Sequence, residues 1–119
     1  MKNLEKILET VSLYYKVPLK DIKGSRKNGN IPKARHVYCY ISRINNYTFE
    51  SIGLEINRNH TTVINSFKII CNELEIYTKI QEDIKKISDL LLSQNFKRII
   101  VEDVDLLALT KIYNNSYIL

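Results

Sequence analysis

The sequence predicts an all-α bundle built around a helix-turn-helix, and three observations lead to this fold class. Glycine and proline, which interrupt helices, number only 3 and 2 among 119 residues. Apolar residues recur along much of the chain at the i, i+3, i+4, i+7 spacing of amphipathic helices. A short polar turn at residues 57–59 separates two such segments, and two helices joined by a tight turn are the outline of a helix-turn-helix.

The N-terminal part is predicted to form a long helix followed by a short one. Residues 3–16 carry the apolar spacing of the first helix, on Leu4, Ile7, Leu8 and Val11. This helix must end before Pro18, because the residue that precedes a proline disfavours the α conformation. Residues 18–22 then form a short helical stub.

A basic loop and a third helix are predicted next. Residues 23–30 are rich in glycine and asparagine, which favour turns, and the loop carries Arg26 and Lys27. The helix begins near Pro32, since proline suits the first helical position, and it runs to about Asn45. Its apolar stripe is Val37, Tyr40, Ile41 and Ile44, which leaves Arg35, His36 and Arg43 for the outer face.

The helix-turn-helix itself is predicted from residue 49 to about residue 75. Thr48 and Asn59 precede its two helices, and both residue types are good N-caps. The buried face of the second helix is Val63, Phe67, Ile70 and Leu74. Its outward face is His60, Thr61, Asn65 and Lys68. In this geometry the first turn of the second helix enters the major groove of DNA.

The remaining chain is predicted to be a helical C-terminal extension. The helical pattern continues to Ser93 with a break near residues 77–78, and residues 103–113 form another short helix. Residues 97–102 contain the β-branched run Ile99-Ile100-Val101 and favour an extended segment. We therefore divide the chain into a DNA-binding domain at 1–75 and an extension at 76–119, which packs on that domain or mediates a homodimer or contact with a protein partner.

The distribution of charge points to a polyanion as partner. Residues 1–68 hold 12 Lys and Arg against 5 Asp and Glu, a net charge of +7, whereas residues 69–119 hold 6 against 8, a net charge of −2. The basic half is the half with the helix-turn-helix, which favours a nucleic-acid partner. A solvated basic surface without a partner is the alternative that charge leaves open.

Several classes of protein and site are not expected. No apolar run approaches the length of about 20 residues that spans a bilayer, and no signal peptide is present, so a cytoplasmic protein without membrane contact is predicted. Cys39 and Cys71 are expected to be buried free thiols, and two distant His do not complete a metal site with them. No grouping of catalytic residues is present, so neither an enzyme nor a cofactor is expected.

A resemblance to a known family becomes visible once these segments are placed in order. Residues 7–74 resemble the C-terminal DNA-binding domain of the bacterial replication initiator DnaA. The resemblance rests on Tyr14-Tyr15-Lys16-Val17, on Lys33-Ala34-Arg35-His36 and on Ser51-Ile52-Gly53. It rests above all on Arg58-Asn59-His60-Thr61-Thr62-Val63, which is similar to the family signature R-D-H-T-T-V.

The resemblance implies a fold related to the Trp repressor and the binding of double-stranded DNA at a short A/T-rich box. By matched position it implies base contacts in the major groove from His60, Thr61 and Thr62, and from Asn59. It implies minor-groove contact from Lys27, with Arg26 as the alternative, and DNA contact from Arg35 and His36. Phosphate contacts are expected from Arg43, Thr48 and Lys68. Of the tyrosines, Tyr38 and Tyr47 are the candidates for DNA contact.

The sequence also departs from the family pattern. Asn59 stands where Asp is usual, His36 where Gln is usual, and Lys27 where Arg is usual, and the turn before Arg58 is one residue shorter. The base preferred at Asn59 is therefore expected to differ.

The resemblance also limits the functions expected of the chain. The phosphate-binding motif G-x-x-x-x-G-K-[ST] is absent, so a stand-alone, nucleoid-associated module without ATPase activity is expected. Its role would be in replication initiation or its regulation. A transcriptional regulator, a protein-interaction or structural module that kept the fold, and an RNA-binding module are the alternatives.

Overall fold

The computed structural model describes residues 2–101 and the side chains of residues 4–93. Within this part of the chain six helices follow one another without a strand. They are α1 (Lys2–Tyr15), α2 (Leu19–Lys23), α3 (Ile31–Ile44), α4 (Phe49–Glu55), α5 (His60–Leu74) and α6 (Thr78–Val101). The predicted all-α class is confirmed, and α4 and α5 are the two helices of the predicted helix-turn-helix.

Helix α3 is the centre of the bundle, since it packs against each of the other five helices. Buried residues therefore occur around most of its circumference and not along a single stripe. They are Ile31, Ala34, Arg35, Val37, Tyr38, Cys39, Ile41 and Ser42. Periodicity alone predicts one buried face, so it misplaces Arg35, which is buried, and Ile44, which is 49% exposed in the last turn.

Three helices end in the same way, on a residue with a left-handed backbone. The φ angles of Lys16, Asn46 and Asn57 are 59°, 73° and 59°. In each case the next residue donates its N–H to a carbonyl five residues earlier, with N–O distances of 3.0 Å after α1, 3.3 Å after α3 and 2.9 Å after α4. This is the hydrogen bond of a Schellman motif, which satisfies carbonyls at a helix end. It turns the chain sharply enough for short connections.

One prediction for the C-terminal extension differs from the structure of α6. The break before Thr78 is confirmed, but residues 97–101 continue the helix instead of forming an extended segment. β-branched residues lower helix propensity only weakly, and adding residues to an existing helix is easier than starting one. The predicted helix at 103–113 lies outside the described residues. No helix among the described residues is long and apolar enough to cross a membrane.

A buried carboxylate joins α6 to α1. Asp83 is only 3% exposed. Its Oδ1 accepts hydrogen bonds from the hydroxyl of Tyr14 at 2.7 Å and from Nζ of Lys79 at 2.9 Å, and its Oδ2 accepts from the hydroxyl of Tyr15 at 2.8 Å. Burial raises the pKa of Asp83, but the three hydrogen bonds together outweigh burial and leave this pKa below its ordinary value.

We expect Asp83→Asn to lower the free energy of unfolding by about 1–3 kcal/mol at neutral pH, the range for hydrogen bonds to a charged group. Because the pKa of Asp83 is depressed in the folded protein, the contribution of its charge is present above the unfolded pKa and is lost below about pH 4. Urea unfolding of both proteins from neutral to acid pH should therefore give curves that converge in acid. Glu82→Gln, an exposed neighbour, is the control; a pH-independent difference for Asp83→Asn would contradict this account.

Candidate nucleic-acid interface

The turn between α4 and α5 is held by backbone contacts to α4. Asn57 takes the left-handed conformation, and the N–H of Arg58 donates to the carbonyl of Gly53 at 2.9 Å. The carbonyl oxygen of Arg58 lies so close to Gly53 that a Cβ atom there would be 2.2 Å away. A side chain at position 53 cannot fit without moving the turn, which accounts for glycine in the Ser51-Ile52-Gly53 segment.

The first turn of α5 presents polar side chains to solvent. The Oδ1 atom of Asn59 accepts from the N–H of Thr62 at 2.9 Å, which confirms the predicted N-cap. His60 and Thr61 are exposed, and Thr62 is half-buried. The cap fixes the direction of this turn, so that His60 and Thr61 stand at the free end of the helix.

The two faces of α5 separate as the periodicity predicts. Val63 and Ile70 are fully buried, and Ser66 is 4% exposed. Lys68 lies on the exposed face with Asn65. The outward face of α5 therefore carries polar groups and a cation along its length, and an apolar face holds it to the bundle.

The basic loop between α2 and α3 exposes its cations. Residues 25–30 are all exposed, including Arg26 and Lys27. The beginning of this loop lies beside the turn of the helix-turn-helix, because the guanidinium of Arg58 donates to the carbonyls of Lys23 and Gly24. The structure thus brings together two segments that are more than 30 residues apart in the sequence.

Arg35 is not on the outer face of α3, where periodicity places it. It is 6% exposed. Its Nε donates to the carbonyl of Ile22 at 2.9 Å, and its Nη2 donates to the carbonyls of Asp21, Arg26 and Gly24 at 3.0, 3.2 and 3.3 Å. Burial, and then the positive charge of Arg58, lower the pKa of Arg35. The predicted DNA contact of Arg35 stays a prediction, but its contacts give it a structural role that sequence reasoning missed.

His36 occupies the first half of α3 and is half-buried. Burial lowers the pKa of His36, while the carboxylate of Glu73 acts in the opposite direction. Because the ordinary pKa is already near 6.5, the imidazole is neutral at neutral pH. A neutral imidazole can both donate and accept a hydrogen bond.

Arg43 lies in the last turn of α3, about 12 Å along the helix axis from Arg35, and Thr48 follows it at the start of α4. Arg43 is exposed; its guanidinium lies 4.3 Å over the ring centroid of Phe49, and its Nη1 donates to the carbonyl of Tyr47 at 3.2 Å. Thr48 is exposed, and its hydroxyl oxygen accepts from the N–H of Ser51 at 3.1 Å, which confirms the predicted N-cap of α4. Both side chains are held in fixed positions at the surface.

The structure also places the two tyrosines that were candidates for DNA contact. Tyr38 is fully buried, and its hydroxyl donates to the carbonyl of Ile52 at 3.2 Å, so the prediction that it is a candidate for DNA contact is wrong. Tyr47 is half-buried.

Both cysteines are free thiols, and Cys39 is buried whereas Cys71 is half-buried. Among the described residues, no group of three or more His, Cys, Asp and Glu could hold a metal ion.

The sequence is similar to a known family of helix-turn-helix proteins. A family model described as the bacterial dnaA protein helix-turn-helix matches residues 4–70. The chromosomal replication initiator protein DnaA of Enterococcus faecalis is 38% identical over 87 residues, which are 71% of this chain and 20% of that protein. The DnaA protein of Mycoplasma capricolum is 36% identical over 91 residues, which are 75% of this chain and 19% of that protein. The chain thus spans about a fifth of the length of these relatives.

Proposed function

This chain belongs to the bacterial DnaA helix-turn-helix family, and we propose on that basis that it binds double-stranded DNA sequence-specifically in replication initiation or its regulation. The observation that carries the proposal is the first turn of α5, where an Asn59 cap presents His60 and Thr61 to solvent. The exposed end of a recognition helix is the part that reaches base edges in the major groove.

Major-groove readout is assigned to four residues at the start of α5. The methyl groups of Thr61 and Thr62 can pack on a thymine methyl, and their hydroxyls or the imidazole of His60 can hydrogen-bond base edges. Asn59 uses Oδ1 in its cap, so its amide nitrogen is the group offered to a base as a donor. A donor in this place would favour a base-edge acceptor, unlike the carboxylate that is usual in the family.

Minor-groove readout is assigned to the basic loop. Lys27, with Arg26 as the alternative, lies on an exposed stretch whose beginning is tied to the turn of the helix-turn-helix. The narrow minor groove of A/T-rich DNA has an enhanced negative potential that attracts inserted cations. We therefore propose an A/T-rich segment next to the bases read by α5.

Phosphate contacts are assigned to side chains around this surface. Arg43, Thr48 and Lys68 are exposed, and Arg43 is oriented by the ring of Phe49. DNA contact by His36 and by the buried Arg35, as the resemblance implies, completes the proposed set of DNA-binding residues without assigning these two to phosphate. Contacts to phosphate set the register of the protein on the duplex, whereas base contacts give the sequence preference.

We assign DNA binding to residues 1–75 and propose that residues 76–119 form an extension that packs on this domain. The packing of α6 on α1, α3 and α5 supports this assignment. The extension is also the segment through which a homodimer or a protein partner would be bound. We propose no ATPase activity for the chain, because its sequence contains no phosphate-binding loop, and we propose a cytoplasmic, nucleoid-associated location.

Selection from random duplexes followed by binding at several salt concentrations tests the proposal. Four exposed cations are assigned to DNA: Arg26, Lys27, Arg43 and Lys68. If all four neutralise phosphates, the log–log slope of affinity against salt should be about −3 to −4, since each contributes about −0.9. Arg43→Ala should weaken all duplexes alike, and Lys27→Ala should flatten the A/T preference.

Lys6→Ala is the matched control, because Lys6 is an exposed lysine of α1 outside the proposed site. It should change neither the slope nor the selected sequence. The absence of duplex binding at low salt would contradict the proposal. Tighter binding to RNA, or retention of the fold with no nucleic-acid binding, would favour the alternative functions instead.

A further inference from the structure

Two arginine side chains meet at one backbone carbonyl in the basic loop. The carbonyl oxygen of Gly24 accepts from Nη2 of Arg58 and from Nη2 of Arg35, the latter at 3.3 Å. Arg58 comes from the turn before α5, and Arg35 comes from α3. The loop is therefore in contact with both α3 and the turn before α5.

Arg58 connects the turn to the loop through both terminal nitrogens of its guanidinium. Its Nη1 donates to the carbonyls of Ile56 at 3.2 Å, Asn57 at 3.3 Å and Lys23 at 3.4 Å. The first two contacts bend the side chain back along its own turn, and the contact to Lys23 reaches 35 residues away. A guanidinium has five N–H donors in a rigid fork, so it can bind carbonyls from two segments at once.

Arg35 binds the end of α2 and the same loop. It binds the carbonyls of Asp21, Ile22, Gly24 and Arg26, and Arg58 binds those of Lys23 and Gly24. Between residues 21 and 26, only the carbonyl of Ser25 is therefore not bound by one of the two guanidinium groups. The backbone of this segment thus faces inward. Its cationic side chain Arg26, and Lys27 after it, are exposed.

Both guanidinium groups bind backbone carbonyls and not carboxylates. Within the part of the chain that the structure describes, neither Arg35 nor Arg58 takes part in an ion pair. Burial is the main cause that lowers the pKa of Arg35, and the positive charge of Arg58 lowers it further, because the two cations repel each other. Two like charges are held together here because the loop carbonyls accept hydrogen bonds from both, and hydrogen bonds to charged groups are strong.

We propose that Arg58 and Arg35 are positioning residues that fix the basic loop relative to α5, an inference that deepens the proposed function and rests on it. The backbone of Arg58 is fixed by its hydrogen bond to Gly53, and its side chain fixes Lys23 and Gly24. The distance between the cation that enters the minor groove and the helix end that enters the major groove is thereby set. Arg58 would thus determine the spacing between the two parts of the DNA site.

Limited trypsin digestion tests the clamp without DNA. Removing it should let the loop open locally, and cleavage after Lys23, Arg26 or Lys27 should become about tenfold faster. Arg58→Gln should have this effect because it removes the guanidinium. Arg58→Lys should have it too, because the ammonium of lysine keeps the charge but lacks the planar fork. Arg43→Gln is the matched control, since this exposed arginine binds the carbonyl of Tyr47 and not the loop.

Cleavage after Lys68 separates local opening from unfolding, because Lys68 lies within α5. The clamp predicts faster cleavage in the loop with unchanged cleavage at Lys68 in Arg58→Lys. A parallel increase at both places, or loop cleavage equal to that of the wild type, would overturn it. This result is independent of whether the protein binds DNA.

Selection from random duplexes tests the consequence for DNA reading. Arg58→Lys should reduce the A/T preference to the level of Lys27→Ala and leave the preference due to His60 and Thr61 intact. The double variant should be no worse at the A/T positions than Lys27→Ala alone, because both changes remove the same contact. Loss of major-groove preference with retained A/T preference would contradict the inference. Failure of the wild type to bind any duplex would contradict the proposed function and leave the digestion result to decide the clamp.

Discussion

Gly53→Ala is expected to lower the free energy of unfolding by about 3 kcal/mol, near the upper end of the range for added atoms in a packed interior. The new Cβ would lie 2.2 Å from the carbonyl oxygen of Arg58 and 3.3 Å from Cγ2 of Val63. A backbone carbonyl cannot rotate away as a flexible side chain can. Relief would require the turn to move, and the turn is also fixed by the N–H of Arg58, which donates to Gly53.

Thermal and urea unfolding would measure this effect, and Gly29→Ala is the matched control. Gly29 has a φ of 59°, but a Cβ there would meet nothing within 4 Å. Its replacement should cost about 1 kcal/mol, from the left-handed backbone alone. A Gly53→Ala protein as stable as Gly29→Ala would contradict the close packing of the turn on α4. The expected melting temperature of Gly53→Ala is lower than that of the wild type by more than about 10 °C.

His60→Ala and Thr61→Ala are expected to reduce discrimination between base pairs at the selected site by about 5- to 150-fold each, the equivalent of 1–3 kcal/mol per well-formed base contact. Both side chains are exposed, so their removal should leave the stability of the bundle nearly unchanged. Competition between duplexes that differ at single base pairs would measure the loss at each position. The lost preference should be confined to the base pairs that the first turn of α5 contacts.

Asn72→Ala is the matched control for these two variants. Asn72 is exposed on α5 but lies three turns after His60, away from the end that enters the groove. It should bind every duplex as the wild type does. A uniform loss of affinity across all sequences in His60→Ala or Thr61→Ala would mean that these residues contact phosphates and do not read bases.

Local signals in the sequence were sufficient for the helix-turn-helix and its caps, although they predicted an extended segment where α6 continues. Thr48 and Asn59 are N-caps by residue type and position, and the structure has both side chains in that role. Asn57 suits a left-handed residue at a helix end because its side chain tolerates that conformation. Each of these interactions joins residues only a few positions apart, which is why a pattern in the sequence reveals them.

Interactions between distant residues were not predictable from the same patterns. Arg35 was expected on the outer face because the apolar stripe of α3 leaves it there, and its burial depends on carbonyls supplied by α2 and by the loop that follows it. A weak signal existed, since Arg35, Tyr38 and Ser42 share an i, i+3, i+7 spacing on a second buried stripe of α3. The pairing of Asp83 with Tyr14 and Tyr15, about 70 positions away, has no such signal.

The bases read by this surface follow from neither the sequence nor the fold, because discrimination depends on contacts made only in the complex. Asn59 and Lys27 depart from the family pattern at two of the positions that we assign to base reading. The docking mode rests on elements that these replacements leave in place, namely the capped end of α5 and the anchored basic loop.

Base-analogue substitution in the selected duplex tests the two-groove docking most directly. Inosine·cytosine in place of A·T keeps the minor-groove pattern and changes the major groove, whereas diaminopurine·thymine keeps the major-groove pattern and adds an amino group to the minor groove. At the base pairs read by α5, we predict that inosine·cytosine weakens binding and diaminopurine·thymine does not. At the A/T-rich pairs read by Lys27, we predict that diaminopurine·thymine weakens binding and inosine·cytosine does not. Tolerance of inosine·cytosine at every position would contradict major-groove reading by His60 and Thr61.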